Sequence, residues 1–466
     1  MKNEKKGNGF ATINPSTEKK IMDYTYVSDQ EAEQAVQKCH DAFLKWRMVS
    51  IDERAKIIKA IGKGLQNNKE KFAALMTEEM GKLLSQGEEE IDLCSAVCKY
   101  TAEEGPTNLA DEERDLPNGG SGTITYSPIG VIYGIQPWNY PAYQAIRFSI
   151  VNLMAGNGVL LKHAENVTGS ALLLKQIFSE AGLPKDLFTV LIIDIEQSDK
   201  IIENTLVRGV TLTGSGKAGK HVAEKAGSVL KKTVLELGSN DAYIVLDDAD
   251  IDLAAEACAK GRIYNNGETC VAAKRFVVVE KIYDAFKEAF VKKMENIKMG
   301  DPTIEDSDIG PMARKDLRDD LHEQVQKSVD QGATILIGGH IPKEQGFYYP
   351  STILENVISG QPAYEEELFG PVASLIRAKD NDDAMRIAND SRFGLGGGIF
   401  SKNEEKATKL AKEHFDTGMV FINSFGTAQP SMPFGGVKDS GYGREHGGFG
   451  IHEFVNAKAV MKLKME

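Results

Sequence analysis

Between residues 29 and 105, apolar side chains recur at three- and four-residue spacing among charges: Ala32, Ala35, Val36, Ala42, Phe43, then Ile57, Ile58, Ile61 and Leu65. That period predicts amphipathic helices. The stretch Leu116-Pro117-Asn118-Gly119-Gly120-Ser121-Gly122 breaks it and reads as a loop, leading into the alternating strand pattern Thr123-Ile124-Thr125-Tyr126. From about 128 to 235, short apolar runs (Gly130 to Ile135, Gly158 to Lys162, Phe188 to Ile195, Gly209 to Thr213) alternate with helical stretches. This rhythm predicts a parallel, doubly wound sheet. A second α/β run follows from 240 to about 430. The terminal Val460-Met461-Lys462-Leu463-Lys464 alternates strictly and reads as a strand. Too short to stand alone, it is expected to pair with the 123–126 segment or with another subunit. There is no internal repeat.

The length of 466 residues exceeds one ordinary core, so two or three domains are expected. A formal net charge of −13 argues against nucleic acid or an anionic membrane as a general partner, while leaving a small anionic substrate open because a site's field is local. Met1 to Gly9 are polar and lysine-rich, without the apolar core of a secretory signal, and no apolar run has bilayer-spanning length. A cytoplasmic location is therefore expected. The five cysteines, Cys39, Cys94, Cys98, Cys258 and Cys270, read as reduced thiols, with Cys94 and Cys98 a buried pair on one helix face. Neither HExxH nor paired CxxC motifs occur, so no metal site is expected.

The chemistry concentrates in two glycine-marked turns. Glu236 lies in Leu235-Glu236-Leu237-Gly238 after the β-type run Lys232-Thr233-Val234, and Cys270 closes Asn265-Asn266-Gly267-Glu268-Thr269-Cys270. A thiol after a chain reversal can be pointed as a nucleophile, and a carboxylate at a strand end can take a proton from water. Gln136-Pro137-Trp138-Asn139-Tyr140-Pro141 adds an amide donor between two prolines. Nucleophile Cys270, base Glu236 and oxyanion donor Asn139 make up an acyl-transfer set.

With these boxes the chain resembles the aldehyde dehydrogenase superfamily, and most closely its bacterial succinate-semialdehyde group. Further matches run almost end to end: Asn14-Pro15-Ser16-Thr17, Glu79-Met80-Gly81-Lys82, Ala155-Gly156-Asn157, Thr213-Gly214-Ser215, Gly310-Pro311-Met312, Glu367-Leu368-Phe369-Gly370-Pro371 and Pro433-Phe434-Gly435-Gly436-Val437-Lys438. The resemblance implies two doubly wound α/β domains and a β-strand oligomerisation extension. The expected partition is a cofactor domain over 1–109 and 129–235, a catalytic domain over 236–449, and an extension over 110–128 and 450–466 that makes a homodimer or homotetramer. The cofactor implied is NAD, with NADP possible.

Gly214-Ser215-Gly216-Lys217-Ala218-Gly219 matches GxGxxG, a pattern that would assign Glu236 to ribose binding. Several βα units precede it, which argues against that role. The resemblance instead uses Gly214, Ser215 and Gly219 near the pyrophosphate, with Gly216 incidental. Ribose recognition then falls to Lys162 and Glu165, whose carboxylate accepts from the 2′- and 3′-hydroxyls and repels a 2′-phosphate. Ile135, Pro137, Trp138 and Leu237 join the cofactor cleft, and Glu367 and Phe369 match positions that hold the nicotinamide ribose and ring.

Two departures from the family pattern stand out. Ser239 replaces a second glycine and is expected to restrict the loop that carries Glu236. Glu268 replaces a commoner glutamine and is expected to raise the thiol pKa through its charge. For the substrate, the resemblance implies that Arg147 grips the distal carboxylate of succinic semialdehyde, aided by Tyr264; the alternative is an arginine paired with a local acid. A broad dehydrogenase of small aliphatic or aromatic aldehydes is the competing activity. A non-catalytic homologue is disfavoured because thiol, carboxylate and amide are all present.

Overall fold

The computed structural model describes residues 8–464. The first seven and last two residues, which fall in the expected cofactor domain and extension, lie outside the described residues. Four helices, Asp29–Trp46, Ile51–Asn67, Lys69–Met80 and Leu84–Asn108, fill the stretch where the apolar period is helical. Their stripes are buried at Val36, Phe43, Ile58, Ile61 and Leu65. Ser28 and Ser50 accept hydrogen bonds from the backbone three residues on, satisfying N–H groups that a helix start leaves unpaired. Cys94 and Cys98 are buried on the fourth helix.

Two sheets carry the rest. In the first, Lys232–Glu236, Val207–Thr213, Val131–Gln136, Gly158–His163 and Phe188–Val190 lie side by side in that order and run parallel. Their pairings set Ile135 opposite both Lys162 and Leu212, and Thr213 opposite Glu236. The carboxyl ends therefore form one edge carrying Gln136, His163, Thr213 and Glu236, the edge where ligands bind in open parallel sheets. Gly441–Tyr442 returns from far along the chain to pair antiparallel with Glu236 and Leu235. The second sheet orders Thr334–Ile337, Thr352–Glu355, Val372–Ala378, Arg275–Val279, Ala242–Val245, Gly397–Phe400 and Phe421–Ile422, with only the first strand antiparallel. Its central strands are almost wholly buried, as parallel strands covered on both faces must be, while the two edge strands are only half-buried or exposed.

A third sheet is separate. Val455–Lys462 pairs antiparallel with Gly120–Pro128, setting Val460 opposite Thr123, and Glu112–Leu116 flanks the other side. The terminal strand thus finds its partner at the 123–126 segment, and it remains largely exposed in the single chain. Two local readings change. The apolar run Phe188–Ile195 yields a strand of only three residues, because Asp194 forms a reciprocal cap with Gln197 and starts a helix at Ile195. The polar N-terminal region holds a hairpin, Gly9–Ile13 with Lys20–Thr25, which the helical and strand periods did not reveal.

Candidate active site

The Cys270 turn is built from three consecutive left-handed residues: Asn265 (φ 54°), Asn266 (φ 57°) and Gly267 (φ 74°). Asparagine is among the few side chains that tolerate this region, and glycine adopts it freely. Four distant segments hold the turn. Asn266 Nδ2 donates to the carbonyls of Gly81 (3.1 Å) and Pro311 (3.0 Å), and its Oδ1 accepts from Gly310 N–H at 2.7 Å. Asn265 Nδ2 donates to the Asn139 carbonyl at 2.9 Å. A Cβ on Gly267 would lie 2.4 Å from the Gly370 carbonyl carbon. The Gly81, Asn139, Gly310-Pro311 and Gly370 motifs are scattered in sequence because they converge on one turn.

Asn139 precedes the helix Pro141–Ala155. Its Nδ2 donates to the Glu268 carbonyl at 3.1 Å; an amide carries two N–H bonds, so the second is available to a ligand. Glu90 braces this turn by accepting from the Ala142 and Tyr143 N–H groups at 2.8 and 2.9 Å, and it forms a buried ion pair with Lys82.

Pro137, Trp138, Asn139, Gly214, Ser215, Leu237, Cys270, Glu367 and Phe369 line one cavity of about 240 Å³. The Trp138 and Phe369 rings meet edge to face with centroids 5.7 Å apart. A second cavity of about 420 Å³ is lined by Ile135, Lys162, Leu212, Ser215 and Val222. Ser215 lines both cavities and caps the helix Gly216–Ser228 by accepting from Ala218 N–H. The pair fits a nicotinamide dinucleotide: an apolar slot for a flat base, a helix N-terminus for the pyrophosphate, and a second chamber ending at a thiol. Gly216 opens on free space, whereas a Cβ on Gly219 would lie 2.5 Å from the Leu237 side chain, so Gly219 is what lets the helix pack there. Glu165 sits in a neighbouring cleft with Phe10 and His163, its carboxylate accepting from the Tyr26 hydroxyl at 2.5 Å.

Charge is unevenly arranged around the thiol. Burial pushes Cys270 up to about 12, Glu236 and Glu367 act in the same direction, and Arg147 and Lys274 pull it down. Burial, reinforced by the nearby Glu445, also raises Glu236 above the ordinary carboxylate range, making it a stronger base, against the fields of Arg147 and Arg444. Both departures read from the sequence have definite partners in the structure. The Glu268 carboxyl accepts from Ala313 N–H at 3.1 Å, and burial raises its pKa well above the ordinary carboxylate range, while the charges that act most on the thiol are Arg147, Lys274, Glu236 and Glu367. Ser239 has no positive φ, and its hydroxyl donates to Asp241, so its Cβ sits in an ordinary backbone region.

Arg147 is buried between the Tyr143 and Phe434 rings, with its guanidinium carbon 5.3 and 4.6 Å from their centroids. It forms an ion pair with Glu445 and donates from Nη2 to the Thr213 hydroxyl at 3.0 Å, while Nη1 is buried without an acceptor among the described residues. Burial opposes its charge, but Glu445 above all keeps it protonated. The Tyr264 hydroxyl, expected to assist Arg147, donates instead to Glu89 at 2.7 Å. Glu445 and Lys274 carry no local sequence signal that could have singled them out; only their positions in space do.

The aldehyde dehydrogenase family model matches residues 2–460. A protein of Escherichia coli strain K12 named succinate semialdehyde dehydrogenase, with NAD(P)+ as its named cofactor, is 43% identical over 451 residues, 97% of each chain. A Deinococcus radiodurans protein named an NADP+ succinate-semialdehyde dehydrogenase is 41% identical over 97% of this chain and 94% of its own. The crystal structure of succinic semialdehyde dehydrogenase from Streptococcus pyogenes with NADP+ superposes with a TM-score of 0.94 at 36% identity, covering 97% of this chain and 99% of that one. Fold, motif order and these matches coincide over nearly the whole length, and the chain belongs to the aldehyde dehydrogenase family.

Proposed function

We propose that this enzyme oxidises succinic semialdehyde to succinate with a nicotinamide dinucleotide, NAD in preference to NADP, and that Cys270, Glu236 and Asn139 carry the reaction. The Cys270 sulfur attacks the aldehyde carbon, and the resulting oxyanion is held by the free N–H of the Asn139 amide and the Cys270 backbone N–H; one such donor is worth ~3–4 kcal/mol of barrier. A nicotinamide dinucleotide held in the two cavities would supply the hydride acceptor. The carbon is left as a thioester on Cys270, and Glu236 takes a proton from the water that hydrolyses it, releasing the carboxylate and the thiol. Lys162 and Glu165 would hold the ribose at the far end, and Glu367 and Phe369 the nicotinamide side.

The observation that carries the substrate assignment is the buried Arg147 Nη1, which has no acceptor among the described residues although the guanidinium is ion-paired with Glu445, and whose charge acts on both Cys270 and Glu236. An unpaired buried donor is costly, and a substrate carboxylate satisfies it. The names of the relatives point to the same aldehyde. Kinetics on succinic semialdehyde and on butanal test the assignment. Arg147→Met should cut kcat/KM for succinic semialdehyde by ~1.5–3 kcal/mol, roughly ten- to a hundredfold, and leave butanal nearly unchanged. Equal losses on both would assign Arg147 to the scaffold pair with Glu445 and favour a broad aldehyde dehydrogenase.

We also assign the cofactor domain to 1–109 and 129–235, the catalytic domain to 236–449, and subunit pairing to the extension over 110–128 and 450–466 in a cytoplasmic homo-oligomer. The exposed apolar side chains of Val460, Met461 and Leu463 on the terminal strand and just beyond it support the last of these.

A further inference from the structure

Four residues after Cys270, a lysine has been drawn completely inside the protein. Lys274 Nζ donates to the Cys270 carbonyl at 2.6 Å, to Thr269 at 3.2 Å and to Ala272 at 3.5 Å, and lies 3.6 Å from Glu367 Oε1. The same Glu367 oxygen accepts from Ser239 N–H at 2.9 Å. A buried ammonium is expensive unless fully paired, so an amine placed here needs a structural reason. The trans peptide plane supplies one. The Thr269 carbonyl and the Cys270 N–H belong to a single rigid peptide and point in opposite directions. An ammonium gripping the carbonyl therefore aims the N–H away from itself.

We propose that Lys274 is a positioning residue that aims the Cys270 N–H at the oxyanion site and, through Glu367, ties the nucleophile turn to the cofactor side of the cleft. The inference rests on the reading of Cys270 as nucleophile and of Glu367 as a cofactor contact. The groups facing Lys274 are Glu367, Asp241, Arg262 and Cys270; those facing the thiol are Arg147, Lys274, Glu236 and Glu367. Within this set Lys274 is one of only two charges that favour the thiolate.

Lys274→Met removes charge and donors, while Lys274→Gln keeps an amide donor without the charge. Iodoacetamide alkylation of Cys270 against pH reads the charge, since the other four cysteines are buried; Cys270→Ala supplies the blank. In both variants the profile should move up by roughly half a pH unit or more, and the KM for NAD should rise severalfold. The first-turnover NADH burst should slow by about tenfold or more in Lys274→Met and recover in part in Lys274→Gln. A folded Lys274→Met with wild-type alkylation profile, burst and KM overturns the proposal. Should Lys274→Met fail to fold, Glu367→Gln decides: the alkylation profile should move down, and an unmoved profile sinks the coupling. Turnover retained by Cys270→Ala would instead sink the nucleophile reading itself, and the alkylation profile is read without any aldehyde.

Discussion

The two ends of the cofactor trough are built on opposite plans. At the Cys270 end, the polar groups Asn139, Glu236, Lys274 and Arg147 are buried, and the left-handed turn is fixed by contacts from four separate segments. At the far end, apolar walls from Ile135, Leu212 and Val222 meet an open rim that includes the exposed Ile195, and Ser215 caps the helix that borders it. Bond making needs donors held in place before charge develops, because reorganising them during the reaction raises the barrier. Holding a flat base needs only apolar area and an anion-compatible helix end. Substitutions at the two ends should therefore fail in different ways.

The largest effect is expected at Glu236. Glu236→Gln should let one turnover proceed, so that a pre-steady-state burst of NADH survives while steady turnover falls about 10²–10⁴-fold. A lost burst would show that Glu236 acts before hydrolysis and would blur the division of roles at this end. Gly267→Ala breaks the turn without touching a reacting group. The left-handed backbone costs an added Cβ about 1–2 kcal/mol, and the overlap with Gly370 adds to it. Turnover should drop about 10²–10³-fold, as when an oxyanion donor is lost, with NAD affinity changed far less. Parallel losses in both would show that the two ends are not independent.

At the other end the expected effects are smaller and do not concern chemistry. His163 is buried with Nε2 against the Pro141 carbonyl at 2.8 Å and Nδ1 accepting from Ala164 N–H at 3.0 Å, the arrangement of a neutral ring. Burial lowers its pKa to about 4. A depressed folded-state value means that its contribution to stability is complete above the unfolded value near 6.5 and is lost as pH falls toward 4. The loss should amount to roughly 3 kcal/mol. Denaturant midpoints across pH 7 to 4 should show it, and His163→Gln should flatten that part of the profile. The smallest change is Glu165→Ser, which should narrow the preference for NAD over NADP by about tenfold, 1.4 kcal/mol, by removing repulsion of a 2′-phosphate. Steady-state kinetics with both cofactors checks it, and a wild-type preference for NADP would reverse the assignment of Glu165.

Much of this was legible in the chain because it is local. Helical period, strand alternation and the βα rhythm are properties of neighbouring residues, and they foretold the helices, the parallel sheet and the terminal strand. Asn-Asn-Gly before a cysteine announced a chain reversal, and its residues are ones that tolerate the positive φ found there. Tertiary structure decided what depends on meetings across long separations. It set Glu445 against Arg147, sent the Tyr264 hydroxyl to Glu89, bonded the Glu268 carboxyl to the Ala313 N–H and drew Lys274 behind the Cys270 turn. Each outcome follows from burial and partner geometry, where the cost of an unpaired charge selects one contact among many, and a one-dimensional pattern carries no record of which strand ends will face each other.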